Sequence, residues 1–224
     1  MLQIRRVIIT MLLAFGAMTL KAQNAELALG VRAGYYSAFG GFAAVSLETD
    51  VAVAKDFEVS GGVQYNTIGK STVEVRPAYL HDLAWGRLSA EIMLNYANFA
   101  SINNFAAGAG VCLSSRWIDG RLGYYYRLYG GKGGHISEPF NIYYELRANI
   151  LPMIESWDLQ LIVTNCEMFE LERHYQPSFL AQCRYNYGEH LGVSFGVGCK
   201  PAGLFNITVN HYQSFVKLGV CYRW

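Results

Sequence analysis

Charge is scarce in this chain. Of 224 residues, 16% are Asp, Glu, Lys or Arg, against about 25% in a typical soluble domain. The two signs nearly cancel, 18 basic against 17 acidic, which excludes the strongly basic footprint of a nucleic-acid binder. Proline is rare, at five residues, while 52% of the chain is hydrophobic; together these exclude collagen-like and disordered chains. The five cysteines, Cys112, Cys166, Cys183, Cys199 and Cys221, stand far apart with no CxxC pair. A zinc site needs ligands at short spacing and a disulfide framework needs clustering, so packing thiols are expected, with at most one adventitious disulfide. No metal or cofactor motif occurs, and no cofactor is expected. Long apolar runs are missing beyond the first segment, which excludes a bundle of membrane helices.

That first segment, residues 1–23, reads as a cleaved secretory signal. Arg5 and Arg6 precede a stretch from Val7 to Leu20 interrupted only by Thr10, Gly16 and Thr19, and Lys21-Ala22-Gln23 ends it. The stretch is shorter than the roughly 20 residues that a membrane-spanning helix needs, which disfavours an uncleaved anchor. No Cys lies at the boundary for lipidation.

What is abundant is alternation. From Asn24 on, Leu27, Leu29, Val31, Ala33 and Tyr35 share one face, and Glu26, Ala28, Gly30, Arg32 and Gly34 the other. The pattern returns in Phe57 to Tyr65, Leu88 to Tyr96, Phe105 to Leu113, Ile142 to Ile150 and Leu191 to Val197. Period two means strands, and no amphipathic helix competes. Tight turns are expected at Lys55-Asp56, Ile118-Asp119-Gly120, Glu155 to Asp158 and Tyr187 to His190. Longer connections are expected at Asn66 to Ser71, Ala97 to Asn104, Gly130 to Pro139 and Met168 to His174. Thirteen segments qualify as strands. Leu204 to Asn210 breaks the turn order and goes to the last long loop. The domain from 24 to 224 is therefore all-β: an antiparallel transmembrane barrel of about twelve strands, with fourteen as the alternative. Twelve allows about 17 residues for each strand with its connection.

A soluble β-sandwich or lipocalin-like barrel would turn its apolar face inward. Here the polar face is rich in Gly and small residues, and aromatics crowd the strand ends of the apolar face, as in the interfacial girdles of membrane barrels. A soluble surface would carry more Lys and Glu. The chain ends Phe215-Val216-Lys217-Leu218-Gly219-Val220-Cys221-Tyr222-Arg223-Trp224, where Val220, Tyr222 and Trp224 continue one apolar face to a terminal aromatic. This segment resembles the C-terminal strand of bacterial outer-membrane β-barrels, and the signal ending in Lys21-Ala22-Gln23 looks like those of Bacteroidota. The resemblance implies a bacterial outer-membrane location. Its implied partners are membrane lipid and lipopolysaccharide, and the barrel-assembly machinery that reads the last strand.

If the apolar face meets lipid, the alternate set lines a lumen. The first five strands then place Glu26, Glu48, Asp50, Glu58, Glu74 and Glu91 inside, with Arg32 and Arg76. The remaining strands place Arg116, Arg127, Arg147, Arg184, Lys200, Lys217 and Arg223 inside, with Glu145. An acidic half is thus expected to face a basic half. Opposed walls would set a transverse field across an open pore; paired charges would plug a narrow one. The expected function is a passive pore for small solutes, or a structural surface protein. The alternative is a surface-binding protein with an occluded lumen, favoured by aromatics at Tyr124 to Tyr129 and Asn141 to Tyr144 if these belong to loops.

No enzyme is expected, a lipid-modifying activity being the third option. His135-Ile136-Ser137-Glu138 has the His-x-Ser spacing of lipid hydrolases that are outer-membrane barrels. It follows Gly130-Gly131-Lys132-Gly133-Gly134 and precedes Pro139, which places it in a loop, where nothing holds base against nucleophile. The glycine run lacks the Ser or Thr after Lys that a phosphate loop needs.

Overall fold

A computed structural model describes residues 24–37, 40–99, 102–131, 134–150, 156–165, 177–201 and 211–224. The expected signal, Cys166, the connection Met168 to His174 and the segment Leu204 to Asn210 lie outside the described residues. Twelve strands follow in order: β1 (Asn24–Tyr36), β2 (Gly40–Ala54), β3 (Phe57–Asn66), β4 (Lys70–Leu83), β5 (Gly86–Phe99), β6 (Ile102–Ser114), β7 (Ile118–Gly131), β8 (Gly134–Asn149), β9 (Trp157–Thr164), β10 (Ser178–Tyr187), β11 (Leu191–Pro201) and β12 (His211–Arg223). Each pairs antiparallel with its sequence neighbours, and β12 pairs with β1, so the sheet closes into a barrel. Closure satisfies the backbone groups that an open sheet would leave bare in lipid. At the seam, Ala25 N donates to Trp224 O at 3.2 Å and Trp224 N to Ala25 O at 3.1 Å. An even strand count brings the start of β1 and the end of β12 to one rim, here called the terminal end.

The two faces separate as the alternation requires. Leu29, Val31, Val45, Ile92, Leu122, Leu146, Phe195 and Leu218 all stand exposed on the outside. A soluble barrel would bury this set; here it forms an apolar band. Aromatics edge it. All four tryptophans lie at the terminal end: Trp85 and Trp117 in turns, Trp157 opening β9 and Trp224 closing the chain. Trp157 packs on Tyr185 with ring centroids 4.8 Å apart, and Tyr222 stacks on Trp224 at 5.9 Å. Tyr35 and Tyr65 are exposed toward the far end.

The turns at Lys55-Asp56 and Tyr187 to His190 stand where expected, the second closing through Gly188 at φ +65°. The turn expected at Ile118 to Gly120 sits earlier, at residues 115–117. Ser115 Oγ accepts from Ile118 N at 3.1 Å, and the Asp119 carboxylate accepts from Ser114 Oγ at 2.6 Å. Trp157 and Asp158 likewise open β9 rather than belong to a turn.

Three expected long connections are tight hairpins instead. β3 and β4 are joined by residues 67–69, with Ile68 N donating to Asn66 Oδ1 at 2.9 Å and Gly69 at φ +84°. β5 and β6 continue to Phe99 opposite Ile102, and β7 and β8 to Gly131 opposite Gly134. The reason is cross-strand polar pairing beyond the apolar band. Asn98 Nδ2 and Tyr96 OH both donate to Asn103 Oδ1 at 2.8 Å, so polar residues that read as loop extend the ladder. His135 to Glu138 is therefore strand, not loop. Pro139 falls at a register shift where Tyr125 pairs Asn141 and Arg127 pairs Glu138, a bulge that tolerates its missing N–H.

Candidate functional site: the lumen

Register fixes what faces inward. Glu26 lies opposite Arg223 and Asp50, Glu48 opposite Gly62, Glu74 opposite Asn95, and Arg184 opposite Ser194. All fall on the parity opposite to the exposed apolar band. The same alternation puts Asp50, Glu58 and Glu91 inside, with Arg127, Arg147, Lys200, Lys217 and Arg223, and with Arg32, Arg76 and Glu145. Arg116 is a correction. It stands exposed in the 115–117 turn, its guanidinium 5.8 Å from the Trp117 ring; β6 ends at Ser114, sooner than a turn at Ile118 to Gly120 would have it.

The acidic and basic halves also meet where the barrel closes. Closure makes β1 and β12 neighbours, so the first acids meet the last bases side by side along the seam. Glu26 accepts from Arg184 Nη2 at 2.8 Å and from Arg223 Nε at 2.6 Å. Lys217 Nζ lies 3.5 Å from Glu48 Oε1. A second network crosses the opposite wall. Glu74 pairs with Arg76 at 2.5 Å and accepts from Asn95 Nδ2 at 2.8 Å. Arg76 and Arg121 share Glu91 at 3.5 and 3.2 Å. Glu145 holds Arg121 at 3.8 Å and Arg147 at 2.9 Å. Charges alternate along this belt, so each carboxylate is neutralised by its own neighbours, as buried charges must be.

Arg121 is the residue that reading by halves missed. Its parity against Leu122 was legible, but the run Tyr124 to Tyr129 read as a loop. Those residues are strand β7, and Tyr125 and Tyr143 are inward and almost wholly buried, with Met93 and Ala106 beside them. They are not surface aromatics. Glu138, Asp119 and Asp158 also face inward, paired in register with Arg127, Arg147 and Arg184; Arg127 Nη1 lies 3.8 Å from Glu138 Oε2.

Twelve strands about 4.8 Å apart and tilted by about 40° enclose a ring roughly 24 Å across between backbones, so side chains decide how much of it stays empty. A cavity of about 330 Å³ remains. Glu26, Glu48, Asp50 and Lys217 line one side of it, and Arg121, Glu145 and Arg147 the other; Arg32, Phe215 and Leu180 also contribute. Neither Asp50 nor Glu58 has an ion-pair partner among the described residues. The cavity is therefore polar, ringed by both signs, and carries at least one carboxylate not already neutralised.

His135 and Ser137 lie opposite Gly130 and Leu128 on the outward face near the far end, both exposed. No hydrogen bond joins them among the described residues, and neither reaches the cavity. The four described cysteines are free thiols. No group of three His, Cys, Asp or Glu side chains among the described residues could hold a metal ion.

No model of a known protein family matches the chain, and no curated protein does. Solved structures do match in shape. The KdgM porin in complex with disordered oligogalacturonate aligns at a TM-score of 0.55 and 12% identity, over 88% of this chain and 99% of that one. The NanC porin aligns at 0.55 and 13% identity, over 88% and 100%. The translocator domain of the autotransporter NalP from Neisseria meningitidis aligns at 0.55 and 9% identity, over 100% and 95%. These likenesses agree with the strand count and closure as an outer-membrane barrel fold.

Proposed function

We propose that the chain is an integral protein of a bacterial outer membrane that passes small polar solutes through its lumen without a cofactor. The observation that carries this reading is the pairing of two surfaces on one barrel. The outside is an apolar band edged by aromatics, and the inside holds a cavity of about 330 Å³ ringed by both signs of charge. A soluble barrel has no use for the first, and a merely packed core none for the second. That two of the similar structures are porins supports the same reading. A lumen with both signs favours small neutral, dipolar or zwitterionic solutes over long chains of one charge, because a uniform chain meets repulsion on one wall.

On this reading, residues 1–23 are the export signal, of a kind similar to those of Bacteroidota. Val220, Tyr222 and Trp224 are the strand face presented to the barrel-assembly machinery, and lipid with lipopolysaccharide surrounds the band. Conductance of the purified protein in a planar bilayer tests the pore. Folding is checked first by the shift in gel mobility on heating. Discrete steps support the reading. A folded, silent barrel overturns it and moves the function to a surface-binding role with the lumen closed.

A further inference from the structure

We propose that Phe42, Phe215 and Arg32 form the constriction that limits passage through the lumen and gives it a preference for anions. This rests on the pore reading and names what governs it. The inward face of the barrel is mostly polar side chains and glycine, and the two phenylalanines are exceptions. They stand on β2 and β12, on either side of Gly34 of β1, with which both are in register. Both are buried, at 6% and 4% exposure, and Ile68 and Leu180 pack against them.

Glycine seats the rings. A Cβ built at Gly34 would lie 2.8 Å from Phe42 Cε1 and 2.8 Å from Phe215 Cβ, and one at Gly198 would lie 2.4 Å from Phe215 Cζ. Side chains there would push the rings out of place. Two residues along the same inward face from Gly34, Arg32 lays its guanidinium 3.8 Å from the centre of the Phe215 ring and 5.5 Å from that of Phe42. That is cation–π geometry.

Arg32 and Phe215 bound the cavity on its far side. Beyond them Lys70, Lys200 and Gln213 do not line it, and each is at most 5% exposed. Water therefore meets an apolar step here, and apolar steps gate narrow pores by dewetting. The cation within that step is 8% exposed, and a charge screened from water acts more strongly on a passing ion than a solvated one.

Single-channel recordings on the intact protein test this, with Phe42→Ala/Phe215→Ala, Arg32→Gln and, as a control on the outward face, Val197→Ala. The double variant is expected to conduct several-fold more per channel than the wild type. The wild type is expected to prefer chloride over potassium in a KCl gradient, and Arg32→Gln to move the zero-current potential toward potassium; Val197→Ala should change neither. A wild type that prefers potassium, or an Arg32→Gln variant with unmoved potential, overturns the role of Arg32. A folded double variant with wild-type conductance overturns the constriction. If the double variant does not fold, Phe42→Ala alone removes one of the two rings, and an unchanged conductance in that folded variant overturns the constriction equally. A silent wild type with a conducting double variant supports the constriction while overturning the open-pore reading; two silent, folded barrels overturn both.

Discussion

Tyr143 of β8 donates a hydrogen bond of 3.1 Å to Glu91 of β5, although β6 and β7 lie between them. The ring can cross because the positions beneath it are Gly110 and Gly123. A Cβ there would lie 2.2 Å from the Tyr143 hydroxyl oxygen and 2.3 Å from its Cζ. One aromatic thus ties four strands together and delivers its hydroxyl to the carboxylate that Arg76 and Arg121 share.

Gly123→Ala should therefore destabilise the barrel although alanine suits a strand better than glycine does. Forcing the Tyr143 ring aside is overpacking, which costs about 1–3 kcal/mol. Urea unfolding in lipid vesicles, read by tryptophan fluorescence, would show the loss. The paired variant Gly123→Ala/Tyr143→Phe should recover only part of it, because the new Cβ would meet the ring carbons Cζ and Cε1, at 2.3 and 2.5 Å, as well as the hydroxyl oxygen at 2.4 Å. Stability equal to wild type in the single variant would refute the seat.

Glu91→Gln should cost more, about 3–5 kcal/mol, since it leaves the buried Arg76 and the half-buried Arg121 without their shared counter-charge. Because Glu91 and Arg76 are screened from solvent, the loss should change little between low salt and high. A loss that vanished at high salt would mean that the pair is solvated.

Asp50 and Arg147 should set the charge preference of the terminal mouth in opposite senses. Asp50→Asn removes a carboxylate without an ion-pair partner among the described residues and should favour anions; Arg147→Gln should favour cations. Zero-current potentials in a KCl gradient measure both. Near 1 M salt, where the screening length falls to about 3 Å, both shifts should shrink. Shifts of the same sign in the two variants would contradict the placement of these groups on the solute path.

Leu218→Arg should cost about 2–4 kcal/mol if the outward band lies at the centre of a bilayer. Leu218 is 55% exposed and sits between Val31 and Phe195. Unfolding in vesicles measures the cost, and a value near zero would place that face in water.

The alternation of Leu27 to Tyr35 against Glu26 to Gly34 was enough to assign faces, because successive side chains on any strand point opposite ways whatever lies around them. The inward parity of most of the charges followed from the same rule. Arg116 misled because a rule of parity says nothing about where a strand ends. Asn98, Asn103 and His135 to Glu138 misled because polar residues continue a ladder as well as they make a loop. Only the partner across the ladder distinguishes the two.

Strand character, the closed barrel and its two faces were thus determined by the sequence itself, through a local geometry that repeats every two residues. The pairing of charges was decided by tertiary structure alone. Glu26 meets Arg223 because closure sets the two ends of the chain side by side, 197 positions apart in sequence. Tyr143 meets Glu91 because two glycines leave the wall between them bare. Such contacts depend on how far strands slide and where side chains are missing, and no periodicity along the chain encodes either.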